Sequence, residues 1–135
     1  MRLWHKDLIP YLPRQQLMGQ WREVCAIARN IEKNGKPNHV LVNKIMDYPP
    51  EHFNTYALKV YNEITDRGYR AEWERFKPRD VSGAVVLADD RELFKDWHTN
   101  RYMRQCLSNL QEKADCGAIP EDEWERITDE WPWFE

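Results

Sequence analysis

Five glycines in 135 residues, none of them clustered, leave no glycine-rich loop of the kind that cradles phosphate groups. The three cysteines, Cys25, Cys106 and Cys116, form no CxxC pair. They give neither a disulfide framework nor a thiolate metal site, and read as reduced thiols of a cytoplasmic protein. His5, His39, His52 and His98 lack ligand spacing, and no GxSxG or cysteine–histidine arrangement is present. No metal and no cofactor are expected. No apolar run approaches the roughly 20 residues that span a bilayer, and mean hydropathy is -0.87. Trp4, His5, Lys6 and Asp7 also interrupt any secretory apolar segment at the start.

What remains is the composition of a globular protein: 41% hydrophobic and 32% charged residues, in a length that suits one domain over residues 1–135. The net charge of -3 argues against a generic nucleic-acid binder, but the charge is uneven. Residues 1–48 carry eight Lys/Arg and four Asp/Glu, whereas residues 112–135 carry two and nine. The stretch between is neutral. A basic first region and an acidic tail suit one phosphate-facing side and one repelled side; an acidic terminal helix is equally well a solvated face.

The pattern along the chain is helical. Leu17, Trp21, Val24, Ala28 and Ile31 recur at spacings of four and three, predicting a core-facing helix over 14–31, with Asn34-Gly35-Lys36-Pro37 as its breaker. Asn38 is placed to cap a short helix through Met46. Phe53, Tyr56, Ala57, Val60 and Ile64 stripe a helix over 51–67, closed by Gly68. Residues 70–88 are irregular, with Ser82–Val86 either loop or short strand. A helix over 90–114, with a break near His98-Thr99-Asn100, ends at Gly117, and Pro120 opens a last one with Glu121, Asp122 and Glu123 favouring its dipole. The fold class expected is all-α, a compact helical bundle.

Two groups offer chemistry. Glu23 lies beside Arg22 on a helix face that also carries Gln16 and Gln20, and Gly19 sits one turn before it. A mid-helix glycine costs about 1 kcal/mol relative to alanine. Room for a ligand or another backbone offsets that cost, and so does close helix packing. The second group is the α-amine of Met1, which Arg2 at the second position protects from aminopeptidase removal. α-Amines are less basic than lysine ε-amines, so more of the neutral nucleophile is present at pH 7. A chain terminus is by default solvated, but Leu3 and Trp4 are able to anchor this one. Trp4 and Trp21 are placed to wall a pocket or stack a base, core packing being the commoner use of tryptophan, and the aromatic residues 131–134 either pack back on the body or face a nucleic acid.

The residues Gln15, Leu17-Met18 and Arg22-Glu23, the start Met1-Arg2-Leu3, and Glu63 with Arg67-Gly68-Tyr69 together resemble the pyrimidine-dimer DNA glycosylases of the phage endonuclease V type. The resemblance implies a helical domain with its N-terminus threaded between helices. It implies a bifunctional DNA glycosylase/AP lyase that acts on damaged double-stranded DNA through a Schiff base on the N-terminal amine. By position, Met1 is the nucleophile and Glu23 the acid/base and electrostatic partner, with Arg2, Gln15, Gln16, Arg22 and Arg29 as DNA contacts. The chain departs from the family at three points. The threonine nucleophile is replaced by Met1 or Arg2, the helix histidine by Gln16, and the arginine three residues after the glutamate by Ala26, with Arg29 one turn further on. A monomer is expected. The competing readings are a non-catalytic nucleic-acid or protein interaction module on the same scaffold, and lesion chemistry on RNA or a nucleotide-derived small molecule.

Overall fold

A computed structural model describes residues 1–76 and 87–134, and among these there are helices and turns but no strand. The order is a 3-10 helix at Lys6–Tyr11, α1 at Arg14–Asn34, a 3-10 helix at Asn43–Asp47, α2 at Pro50–Asp66, a 3-10 turn at Trp73–Arg75, α3 at Asn100–Asp115, α4 at Glu121–Glu130 and a closing 3-10 turn at Pro132–Phe134.

The apolar stripe of α1 is the reason it docks. Leu17, Trp21, Val24 and Ala28 are buried, Ile31 half-buried, and α2 lies against them with Phe53, Tyr56, Ala57, Val60 and Ile64. Each such aliphatic or aromatic side chain contributes about 1.5–3 kcal/mol by leaving water. The first 3-10 helix buries Leu8 and Ile9 and packs on α2 and α4, so the amino-terminal segment is enclosed rather than trailing. Pro13 and Pro120 sit as N-caps, one position before the first turns of α1 and α4.

The ends of α2 and α3 are built alike. Gly68 (φ 85°) donates to the Thr65 carbonyl and Tyr69 to Ile64. Gly117 (φ 80°) donates to Ala114 and Ala118 to Lys113. Both are double hydrogen-bonded caps that need a left-handed residue, so glycine is favoured at each.

Two expected helices differ. The segment 38–46 is a turn followed by the 3-10 helix, because Asn38 has φ 62° and Asn43 is the residue whose side chain accepts the His39 N–H. The helix expected from residue 90 begins only at Asn100, where Thr99 caps it by accepting from Tyr102 N–H. The preceding residues turn around Phe94, itself at φ 49°, so that Leu93, Phe94, Trp97 and His98 all reach the core. A continuous helix does not admit the left-handed backbone of Phe94, and the chain breaks there. The Ser82–Val86 alternatives lie outside the described residues. The carboxy-terminal aromatics pack back on the body: Trp131 meets Tyr11 edge-on at 5.0 Å, Phe134 meets Trp124, and Arg104 lies 5.0 Å over Trp133.

Arg67 ties α2 to the amino-terminal segment. Its guanidinium donates to the carbonyls of Leu12 (2.7 Å), Pro10 (3.0 Å) and Ile9 (3.4 Å) while its Nε holds Glu63 at 2.7 Å. Those carbonyls end the first 3-10 helix, where few backbone donors remain for them. Arg67→Ala is expected to lower the unfolding free energy by about 2–3 kcal/mol, with charge-assisted bonds of this kind as the basis. Urea titration reads this, and a loss below 0.5 kcal/mol, about the level of an ordinary surface substitution, would contradict the clamp.

Candidate active site

Glu23 projects from the middle of α1 toward the first residues of the chain. Its Oε2 accepts the Arg2 peptide N–H at 3.4 Å and the Gln20 side-chain amide at 3.3 Å. The amine of Met1 is one residue away from that N–H, which keeps it within about 7 Å of the carboxylate by chain geometry alone. Met1 is itself exposed.

Gln20 is the residue that makes this arrangement, and it is 1% exposed. Its Oε1 accepts Trp4 N–H at 2.7 Å and faces the Tyr56 hydroxyl at 2.8 Å; its Nε2 donates to the Arg2 carbonyl at 2.9 Å and to Glu23. The single Tyr56 proton is shared with the Trp4 carbonyl at 2.6 Å. Residues 2–4 are thus paired to α1 and α2 through side chains in the way an extended strand is paired to its neighbour. A buried segment needs its backbone groups satisfied, and these bonds satisfy them.

The other side of the segment is held by α3 and the residue before its cap. The Tyr102 hydroxyl donates to the Leu3 carbonyl, and His98 Nδ1 accepts Lys6 N–H at 2.9 Å. His5 Nδ1 accepts Asp7 N–H at 3.1 Å, which leaves its Nε2–H to donate to the His98 carbonyl at 2.9 Å. Both imidazoles are therefore neutral, each with its proton on Nε2. Burial above all, with the Lys6 charge adding to it, pulls His98 down to about 2, and burial also lowers His5.

A cavity of about 320 Å³ opens over Glu23, with Trp4, Gln15, Gln16, Gly19, Gln20, Lys113 and Ala118 completing its wall. Gly19 shapes that wall. A Cβ placed on it would meet only the Arg22 Nη2, at 3.7 Å, so no neighbouring backbone presses on the glycine. Close helix packing is thereby excluded as its reason, and open space beside the carboxylate remains. The Gln16 Oε1 is buried at this cavity without a donor.

The residues singled out from the sequence do not all converge. Glu23, Gln15 and Gln16 line one cavity with Trp4. Arg2 sends its guanidinium the other way, over the Trp4 ring at 5.6 Å and beside Tyr102, whose phenol burial pushes up while the Arg2 charge opposes the rise. Arg22 is exposed at the rim and reaches a separate hollow with Trp73 and Arg75. Arg29 lies on another side of α1, where its charge acts on Cys25. Trp21 belongs to the core cluster with Tyr61, Trp73 and Phe76. Lys113, His98 and Tyr102 escaped the sequence reading, since they lie 75 to 90 residues from Glu23 and carry no local signal. No helix is long and apolar enough to cross a membrane, and no group of three metal-ligating side chains occurs, both among the described residues.

The family model for pyrimidine dimer DNA glycosylase matches residues 1–75, more than half of the chain, and the chain belongs to that family. The match takes in Arg2, Gln20, Glu23, Tyr56 and Arg67, and ends before His98, Tyr102 and Lys113. No curated protein and no solved structure matches the chain.

Two outcomes follow from the pairing of residues 2–6. Unfolded histidine titrates near its ordinary value of 6.5 whereas folded His98 stays neutral to about 2, so the unfolded state binds the extra proton on acidification. Stability from this group is complete above pH 6.5 and falls as pH drops below it, by up to about 1.4 kcal/mol per pH unit. Urea unfolding between pH 7 and 4.5 measures the slope, which His98→Phe is expected to flatten. Gln20→Ala is expected to remove about 2–3 kcal/mol of stability and to expose the Trp4 amide to hydrogen exchange; a Trp4 amide as protected as before would show that Gln20 does not hold the segment.

Proposed function

We propose that the protein is a bifunctional DNA glycosylase/AP lyase, with the Met1 α-amine as nucleophile and Glu23 as its acid/base partner. The observation that carries the reading is the bond from Arg2 N–H to Glu23 Oε2 at 3.4 Å, which keeps the amine within about 7 Å of a carboxylate that lines a cavity. The substrate is double-stranded DNA with an extruded or abasic nucleotide, because C1′ is out of reach within the stack.

The amine lone pair attacks C1′. The C1′–base bond breaks and the base leaves with that electron pair, taking up a proton. Opening of the sugar ring, with its oxygen protonated, and loss of the amine proton give an imine between Met1 and C1′; an abasic aldehyde reaches the same imine by releasing water. Glu23 as the anion stabilises the cationic sugar and the protonated imine. It then accepts the C2′ proton, the C2′–C3′ double bond forms, and the 3′-phosphate leaves with the C3′–O electron pair. Hydrolysis of the imine frees the amine. Gln15 and Gln16 face the extruded nucleotide, the orphaned Gln16 oxygen suiting a base or sugar donor, and Arg2 and Arg22 contact the backbone at either rim. Arg29 stands on a different side of α1 from Glu23.

The experiment is reduction with sodium borohydride of a mixture of native-start protein and abasic duplex DNA. A covalent adduct mapping to Met1 is expected. Acetylation of the amine abolishes it, and Glu23→Gln lowers incision by about 10²-fold or more while the protein stays folded. An absent adduct from folded protein with a free amine would reject the lyase and favour the interaction module.

A further inference from the structure

The turn between α1 and the second 3-10 helix carries two apolar side chains that fold stability does not explain. Val40 is 81% exposed and Leu41 48%, while the next residue, Val42, is fully buried. Frayed loops also expose valine and leucine, but this turn is fixed. His39 donates its N–H to Asn43 Oδ1 at 3.1 Å and accepts Leu41 N–H on its Nδ1 at 3.3 Å. Its carbonyl receives Val42 and Asn43 N–H at 3.0 and 2.9 Å, and Val42 and Ile45 anchor the base in the core.

The surroundings are cationic and adjoin the site. Leu41 shares a cavity of about 480 Å³ with Arg2, Tyr102 and Arg104, and a second hollow with Lys44, Asp96 and Arg101. Lys44, Arg101 and Arg104 make no ion pair among the described residues, and Asp96 is the only acidic group in either wall. Arg2 joins the two halves of the picture, its guanidinium lining the Leu41 cavity and its peptide N–H lying on Glu23. In a chain of net charge -3, a hydrogen-bonded apolar tip ringed by cations that lack acidic partners among the described residues fits a partner with an anionic exterior and an apolar interior. Stacked duplex DNA has both, in its phosphates and its base faces.

We propose that Val40 and Leu41 form a wedge that enters the base stack of duplex DNA beside the nucleotide presented to Glu23, while Lys44, Arg101 and Arg104 hold the flanking phosphates. The proposal rests on the DNA reading above and adds how the duplex is opened. Apolar side chains inserted between base steps unstack and kink the helix, and leucine is among the residues used in this way. Because the tip is rigid before binding, little ordering entropy is lost on insertion.

The test uses duplex DNA containing a tetrahydrofuran abasic analogue, which forms no imine, with 2-aminopurine at the adjacent step. The wild-type protein is expected to raise 2-aminopurine fluorescence on binding. The double variant Val40→Ser/Leu41→Ser should melt as the wild type does, bind this duplex about tenfold more weakly and leave the fluorescence low. Leu41→Met should keep the signal, and a duplex already unstacked by a two-nucleotide bulge should restore the double variant to within about threefold of wild type. Lys44→Gln and Arg104→Gln should instead weaken binding to both duplexes alike, with a shallower salt dependence. A double variant that binds and unstacks like the wild type would overturn the wedge and leave the DNA reading standing. Wild-type protein that binds neither duplex but binds vesicles of anionic phospholipid would overturn both.

Discussion

A single buried amide, Gln20, governs the geometry of the amino terminus. Its side chain is hydrogen-bonded to the first residues of the chain, the carboxylate of Glu23 and the hydroxyl of Tyr56 together. Its orientation is forced, because its oxygen faces a peptide N–H and its nitrogen a carbonyl, so turning the amide over would set donor against donor and acceptor against acceptor. In so buried a site the cost of such a mismatch is high, and the network has one arrangement rather than several. The first residues of the chain are positioned by this constraint although they belong to no helix.

The rest of the fold supports the same segment from outside. Arg67 holds the end of the 3-10 helix that follows it, and His98 and Tyr102 close over it from the far end of the sequence. The departure of residues 90–99 from helix has its reason here. Thr99 caps α3 at a point that leaves His98 free to point inward, and Phe94 accepts a left-handed backbone to make the turn. Residues 1–75, the part that matches the family, thus depend on α3 for their final geometry.

Charge and function are reconciled by segregation. The chain is acidic in sum, with the excess in its last two dozen residues, while Arg2, Lys44, Arg101 and Arg104 surround the hollows next to the amino terminus. Screening limits each charge to roughly a Debye length of about 8 Å at physiological salt, so a phosphate responds to the local cluster more than to the total. The neutral pair of histidines fits the same logic: a permanent positive charge inside the core would need a counter-ion, and burial keeps both uncharged instead.

Helical periodicity, the glycine caps at Gly68 and Gly117, and the placing of Glu23 on a polar face of α1 beside Gly19 were legible in the sequence, since each depends on neighbours within one or two turns. The short helix read over 38–46 failed because Asn38 takes a left-handed backbone that its side chain permits but does not require. Arg29 entered through the family resemblance, one turn beyond the position that Ala26 fills, and six residues along a helix set its side chain on a different face from Glu23. The sequence by itself determined which segments are helical and that an amine, a glutamate and several glutamines fall near its start. Only the tertiary structure decided that Gln20 faces Arg2 and Trp4, that His98, Tyr102 and Lys113 complete the surroundings, and that Val40 and Leu41 stand outside. Apolar period is written locally, whereas hydrogen bonds between residues ninety apart exist only once the core has brought their helices together.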